Sequence, residues 1–168
     1  MTSSPPEKLA VYPGSFDPIT YGHIDIINRG LKIFDRIVVA VAVNPTKNVL
    51  FAIPERLELI AQSLNHDPRI EVDAFEGLLV DYAQKKGAGV IVRGLRAMSD
   101  FEYELQLGLM NRRLNREVQT VFMMTGFRWF YISSTIVKEA ASLGGSVAGL
   151  VPPAVEEAMK NKYGLDKG

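Results

Sequence analysis

Gly22 and His23 close the segment Pro13-Gly14-Ser15-Phe16-Asp17-Pro18-Ile19-Thr20-Tyr21-Gly22-His23, which brings a hydroxyl, a glycine and an imidazole onto one loop shaped by Gly and Pro. The apolar run Leu9-Ala10-Val11-Tyr12 before it predicts a strand. After it, Ile24, Ile27, Leu31 and Phe34 share one face of a helix. The loop therefore delivers Gly22 and His23 to a helix N-terminus, where unpaired N–H groups and the helix dipole attract anions. Gly22 lets a ligand approach the backbone, and His23 adds a directed donor beside it. That chemistry is phosphate binding, on a nucleotide. A lone histidine more often serves structure; the preceding glycine and the helix start turn this one toward function.

Further polar segments each follow a predicted strand. They are Asn44-Pro45-Thr46-Lys47, Gly77-Leu78-Leu79, Arg93-Gly94-Leu95-Arg96 and the stretch from Trp129 to Thr135. Lys47 is balanced evenly between a solvated loop lysine and a phosphate ligand. Arg93 and Arg96, three residues apart, can grip phosphate oxygens as guanidinium forks. Ion pairing with the acidic run Asp100-Phe101-Glu102-Tyr103-Glu104 is the second-ranked reading of the two arginines. Ser133, Ser134 and Thr135 offer three hydroxyls at a helix start, as an N-cap and as a second anion cradle. Trp129 and Tyr131 read as core residues more readily than as stacking platforms. His66 is assigned no role, and with two histidines in the chain a multi-His metal site is not available.

These loops need a scaffold that gathers strand ends. Strands are predicted at 9–12, 36–43, 70–75, 89–93 and 118–124, and helices at 22–34, 54–65, 78–86, 99–115, 134–143 and 153–163. The runs Ile37–Val43 and Val90–Val92 are apolar without alternation, as strands of a parallel sheet covered on both faces are. Strand–helix alternation gives an α/β fold with an open, doubly wound, five-stranded parallel sheet, whose ligands gather beyond the carboxyl ends of the strands. One domain over 8–163 is expected, with flexible termini at 1–7 and 164–168. The first turn lacks GxGxxG, which disfavours a redox dinucleotide enzyme. The helix at 99–115 carries two apolar stripes, Phe101, Leu105, Leu109 and Tyr103, Leu107, Met110, Leu114. One can face the sheet; the other needs a ligand groove or another subunit.

Composition narrows the partners. The 168 residues carry 19 basic and 19 acidic side chains, so nothing draws the chain as a whole to nucleic acid or membrane. The absence of cysteine removes disulfides and thiolate chemistry. The N-terminus lacks an apolar signal region, and the longest apolar run is too short to span a bilayer. A soluble cytoplasmic protein is the expectation.

Taken in order, YPGSFDPITYGHIDI, NPTK, RGLRAMSDFEYELQLGLMN and ISSTIVKE resemble the phosphopantetheine adenylyltransferases, within the nucleotidyltransferases that carry the (H/T)xGH signature. The resemblance runs from Leu9 to Tyr163. It implies a dinucleotide-binding-type sheet and transfer of the adenylyl group of ATP to 4′-phosphopantetheine, giving dephospho-CoA and pyrophosphate with magnesium. By that resemblance Ser15 and Phe16 contact substrate phosphate and nucleotide, and His23 stabilises the α-phosphate in the transition state. Lys47 and Arg93 hold the acceptor phosphate, with Lys47 and Arg96 counted with His23 in catalysis. Leu79 lines the pantetheine arm, and Leu107, Met110 and Asn111 its groove. Gly94, Leu95, Arg96 and Glu104 contact ATP, and Trp129, Phe130, Tyr131, Ile132, Ser133, Ser134 and Thr135 embrace adenine and triphosphate. Family traits implied with it are a homohexamer and feedback by coenzyme A. Ser15 stands where many members have threonine, and Thr125–Arg128 departs from the family pattern.

The side chains suit such a reaction. A phosphate monoester, with a second pKa of about 6, is largely dianionic at neutral pH and needs no general base. The demand is to align two anions and neutralise charge on the α-phosphate and pyrophosphate. A related adenylyl- or cytidylyltransferase acting on nicotinamide mononucleotide or a small phosphoalcohol is the alternative enzyme. A nucleotide-binding regulatory module ranks below both, because His23 and Lys47 are present.

Overall fold

The computed structural model describes residues 7–44 and 48–165, with the side chains of Met98 and Ser99 left aside. Five parallel strands form one sheet: β1 (Leu9–Gly14), β2 (Arg36–Ala42), β3 (Ile70–Phe75), β4 (Val90–Leu95) and β5 (Gln119–Met124), in the order β3-β2-β1-β4-β5. Between and after them run α1 (Tyr21–Gly30), α2 (Ile53–Ser63), α3 (Leu79–Lys85), α4 (Met98–Leu114), α5 (Ser134–Ser142) and α6 (Pro153–Tyr163).

The unalternating strands are buried on both sides, and successive residues divide between two apolar layers. Ala10, Tyr12, Ile37, Val39 and Val41 face α1, α2, α5 and α6, where Ile27, Ile60, Val137 and Val155 meet them. Val11, Val38, Ala40 and Ile91 face the other way, onto Val80 and Ala83 of α3. α4 lies on that second face, with Phe101 edge-on to Phe122 of β5 at 6.3 Å. Each fully buried Ile or Val contributes on the order of 1.5–3 kcal/mol, so the sheet is a rigid base for its loops.

Strand order reverses at β1. The chain winds outward through β2 and β3, then crosses back to place β4 on the other side of β1. The crevice beyond the carboxyl ends of β1 and β4 is therefore the place for a ligand.

Element boundaries differ from the periodicity in two informative places. α1 stops at Gly30 rather than continuing to 34, because Ile33 and Phe34 both donate back to the Gly30 carbonyl, at 2.9 and 2.8 Å, and turn the chain into β2. A Cβ on Gly30 would stand 2.7 Å from Ile37 Cδ1, so the missing side chain is what seats the helix end on β2. β4 runs two residues past Arg93, pairing Gly94 with Met123 and Leu95 with Met124. Of the termini expected to be flexible, residues 1–6 and 166–168 lie outside the described ones. Glu7 sits 3.6 Å from Arg36, and Gly164 caps α6 at φ 66.

Candidate functional site

β1 ends in Pro13 and Gly14, and the chain then turns through Ser15 and Phe16 into α1. Phe16 adopts φ 45, a left-handed backbone that costs a non-glycine residue about 1 kcal/mol. The cost is met by burial, because the Phe16 ring is 2% exposed and edge-on to Tyr12 at 5.4 Å and to His23 at 5.0 Å. Beside it opens a cleft of about 250 Å³ lined by Ser15, Phe16, Gly22, His23, Arg93, Gly94, Arg96 and Ile132 to Thr135. Of the five segments that sequence places after strands, three meet here: those carrying Ser15 and His23, Arg93 and Arg96, and Ile132 to Thr135.

His23 occupies the third position of α1, where a capping box ordinarily uses Glu or Gln. Thr20 caps the helix through a 3.5 Å bond from the His23 N–H to its hydroxyl, and in return the Thr20 N–H donates to His23 Nδ1 at 3.0 Å. Nδ1 is thereby an acceptor, which fixes the neutral ring's proton on Nε2. Burial, and then the positive charge of Arg96, lower the imidazole pKa from 6.5 to about 4. At neutral pH His23 is an uncharged Nε2–H donor.

Arg93 and Arg96 flank the cleft with their charges already engaged. Arg93 donates Nε and Nη2 to the two oxygens of Glu104 on α4 at 2.6 and 2.7 Å, a two-point fork that leaves Nη1 over. Arg96 donates to Asp100 at 3.2 Å and to the Ile132 carbonyl at 3.2 Å. The ion pairs with the acidic run, ranked second from sequence, are both present. The reason is positional: α4 starts three residues after β4 and swings its first turns back over the strand end. Glu104, assigned to ATP by resemblance, is the partner of Arg93. Gly94 between them is close to Ile26, 3.2 Å from where a Cβ would lie, so a side chain there would crowd α1.

The hydroxyl segment is also partly committed. Ser133 caps α5 by accepting from the Ile136 N–H at 3.2 Å, and Ser134 donates to the Pro18 carbonyl at 2.7 Å. Thr135 is exposed and lines the cleft. As the first two helical residues, Ser134 and Thr135 have no carbonyl four residues back within α5 to receive their N–H groups. What this helix start offers a ligand is therefore backbone N–H groups and one uncommitted hydroxyl, rather than the three hydroxyls expected from sequence.

Other expected site residues lie outside this cleft. Leu79 starts α3 and packs against the Val80 side of the sheet. Leu107, Met110 and Asn111 sit along α4, with Met110 56% exposed. Leu95 ends β4 and accepts from the Thr125 N–H at 2.9 Å. Trp129 is half-buried and stacks on Tyr21 at 5.2 Å, with the Arg128 guanidinium over the Trp129 ring at 4.7 Å, while Phe130 and Tyr131 are exposed. Tyr131 is thus not a core residue. Lys47, with Pro45 and Thr46, lies outside the described residues.

Sequence reasoning passed over three charged groups behind the first loop. Asp17 is buried and accepts from the N–H groups of Leu50 and Phe51 and from Lys138 Nζ; Arg56 is buried and donates to the Ser15 carbonyl. An acid in an otherwise uncharged apolar loop was the available signal.

The cytidylyltransferase-like family model matches residues 11–140. A phosphopantetheine adenylyltransferase of Syntrophus aciditrophicus is 60% identical over 159 residues, covering 95% of this chain and 96% of that one. One of Geotalea daltonii is 60% identical over 158 residues, covering 94% and 98%. A crystal structure from Vibrio parahaemolyticus, assigned as a nicotinate-nucleotide adenylyltransferase, superposes with a TM-score of 0.71 at 18% identity, over 94% of this chain and 95% of that one. At that identity it speaks for the fold alone.

Proposed function

The chain belongs to the phosphopantetheine adenylyltransferases, a cytidylyltransferase-like family, and from that premise we propose that its cleft joins ATP to 4′-phosphopantetheine. The reaction gives dephospho-CoA and pyrophosphate, a step of coenzyme A synthesis. An oxygen of the acceptor phosphate attacks the α-phosphorus, the bond from that phosphorus to the α,β-bridging oxygen breaks, and pyrophosphate leaves with that bond's electron pair. No proton need be removed from a nucleophile that is already dianionic, since its second pKa is about 6.

The observation that carries this reading is His23. Its Nδ1 is taken by the Thr20 N–H, so the ring aims a fixed Nε2–H donor from the N-terminus of α1, in a cleft shared with Arg93, Arg96 and the first turn of α5. A neutral donor at a helix N-terminus stabilises charge that grows on the α-phosphate, and it cannot act as a base there. Ser15, Phe16 and the Ile132–Thr135 turn are read as the nucleotide's contacts. Arg93, through its remaining Nη1, and Lys47 are read as the acceptor phosphate's. Leu79, Leu107, Met110 and Asn111, away from the cleft of about 250 Å³, are read as a path for the pantetheine arm, since so small a cleft holds reacting phosphates rather than two whole substrates.

Magnesium is proposed as the ion carried by the triphosphate. No carboxylate lines the cleft, and among the described residues no three His, Cys, Asp or Glu gather to hold a metal. The hydroxyls of Ser15 and Thr135 are the oxygen donors that fit a magnesium ion keeping phosphate and water ligands. When bound, the ion neutralises charge on the triphosphate.

The finer expectations share this support. Coenzyme A contains both the pantetheine arm and the nucleotide of the product, so it is read as a feedback ligand of the same cleft. A homohexamer is carried over from the family resemblance, and the apolar residues left exposed on α4 are a surface that such an assembly would cover. Among the described residues no helix is long and apolar enough to cross a membrane, and a cytoplasmic place follows from the substrates proposed. The function is tested by incubating the protein with ATP and magnesium and each of phosphopantetheine, nicotinate or nicotinamide mononucleotide and a small phosphoalcohol, then with CTP in place of ATP. Pyrophosphate release with ATP and phosphopantetheine is expected; release only with another acceptor or with CTP would sink the reading.

A further inference from the structure

We propose that Asp17 is a positioning residue for the transfer, whose buried carboxylate sets the register between the loop carrying Ser15 and His23, the segment before α2, and helix α5. Asp17 is 1% exposed and does not line the cleft. Its Oδ1 accepts from the Phe51 N–H at 2.8 Å, and its Oδ2 accepts from the Leu50 N–H and from Lys138 Nζ, both at 2.9 Å. Those donors sit on two other elements, 33 to 121 residues away in the chain. One carboxylate thus closes three pieces of backbone around the cleft.

The attachment of α5 is double. Lys138 reaches Asp17, and Ser134, one turn earlier on the same face, reaches the next carbonyl, that of Pro18, at 2.7 Å. The free N–H groups of the first turn of α5 are therefore placed by two bonds to consecutive residues of the first loop. On the other side, Arg56 is 4% exposed and donates Nη1 to the Ser15 carbonyl at 2.9 Å. Its Nε is buried with no partner among the described residues. A buried guanidinium with an unmet donor is costly, and here its Nη1 bond fixes the backbone of a cleft residue. Backbone and side-chain donors together hold the Asp17 carboxyl below its ordinary pKa of 3.8 against the opposing effect of burial, so the anion persists at neutral pH.

An Asn at this place cannot substitute, because its amide nitrogen would meet a donor wherever it pointed. A reaction that aligns two anions is sensitive to such register, since a misplacement of about 1 Å costs roughly 10²-fold. The inference rests on the adenylyl-transfer reading. Wild-type pyrophosphate release from ATP and phosphopantetheine checks that reading first, and only ratios of variant to wild type bear on Asp17.

The experiment compares Asp17→Asn, Lys138→Met and the double variant with wild type, measuring kcat, both KM values and Tm. Lys138→Met leaves the Leu50 and Phe51 bonds in place, so it should raise KM for ATP about tenfold and KM for phosphopantetheine by less than about twofold. Asp17→Asn should lower kcat roughly 10²-fold and lower Tm. In the double variant Lys138 no longer faces an amide, so Tm should recover in part while kcat stays low, because the Asn amide still meets the Leu50 or Phe51 N–H. Recovery of kcat together with Tm overturns the proposal, as do two KM values that move together or not at all in Lys138→Met. If Asp17→Asn fails to fold, the other two variants still decide.

Discussion

A neutral imidazole gives up the charge that would attract a polyanion, and His23 shows what it gains instead. With Nδ1 held by the Thr20 N–H, the ring has one tautomer and one orientation, and its donor needs no reorganisation when charge develops. Two variants separate its roles. His23→Gln keeps an acceptor for the capping box and should hold stability within about 0.5 kcal/mol, whereas His23→Ala should lose about 1 kcal/mol in urea unfolding. Both should lower kcat, the alanine by about 10²–10³-fold, with KM for ATP changed far less. Equal losses in kcat and ATP affinity would mean that His23 binds the ground state. The pH dependence has a definite sign. The folded protein keeps His23 neutral down to about 4, while the unfolded chain takes up a proton near 6.5. The unfolded state then binds more protons between those values, so stability falls as pH drops from 6.5 toward 4. Above 6.5 this contribution is fully present. Tm measured across that window should slope less in His23→Gln than in wild type. The acid limb of kcat/KM, set by the acceptor phosphate at about 6, should stay where it is in that variant.

At the scale of elements, the site depends on how helices begin. α5 presents its first N–H groups to the cleft only while Ser133 caps it, so Ser133→Ala should cost about 1 kcal/mol in denaturant unfolding and raise KM for ATP. Unchanged stability would show that the Ser134 bond to Pro18 suffices to start the helix. What sequence made legible was of this local kind. The span of β3 and that of α6 match their periodicity residue for residue, because an alternating strand that begins Ile70-Glu71-Val72-Asp73 and a Pro-led amphipathic turn each declare their own ends. The loops around Ser15, Arg93 and Ser133 were legible as strand-end segments, and the structure brings them into one cleft. The rest depended on distant partners. Asp17 bonds residues 33, 34 and 121 positions away, Arg56 bonds Ser15 41 away, and no local spacing encodes either. The Arg93–Glu104 fork needed the angle at which α4 leaves β4. The extension of β4 through Gly94 needed β5 alongside it, since glycine on its own argues against a strand.

At the scale of the molecule, α4 is left with more apolar surface than one face of the sheet can cover. Phe101 and Gly108 lie against Phe122 and Thr120, yet Tyr103, Leu109 and Leu114 are 62%, 60% and 50% exposed, and Phe127 at the neighbouring strand end is 96% exposed. The helix also has little amphipathic contrast, with apolar residues distributed around it rather than gathered toward β5. Such a helix is stable in water when a second surface covers it, and a contiguous apolar patch of a few hundred Å² or more marks an interaction site. Since the apolar residues recur along the whole helix, and since Arg112, Arg113 and Arg116 at its end keep it from being apolar to its tip, a repeated protein contact suits it better than a lipid surface. In the proposed assembly, a charge introduced in the middle of that contact would have to be desolvated on every subunit at once. Leu109→Glu should therefore convert the assembly to smaller species in light scattering, and its Tm should become more dependent on protein concentration than that of wild type. The cleft residues lie on β1, α1, β4, α5 and the loops that join them rather than on the exposed side of α4, so residual turnover in the dissociated form would show that one subunit carries a complete site. Wild-type protein that already scatters as a monomer at micromolar concentration would overturn the assembly, and leave the exposed face of α4 to the pantetheine arm alone.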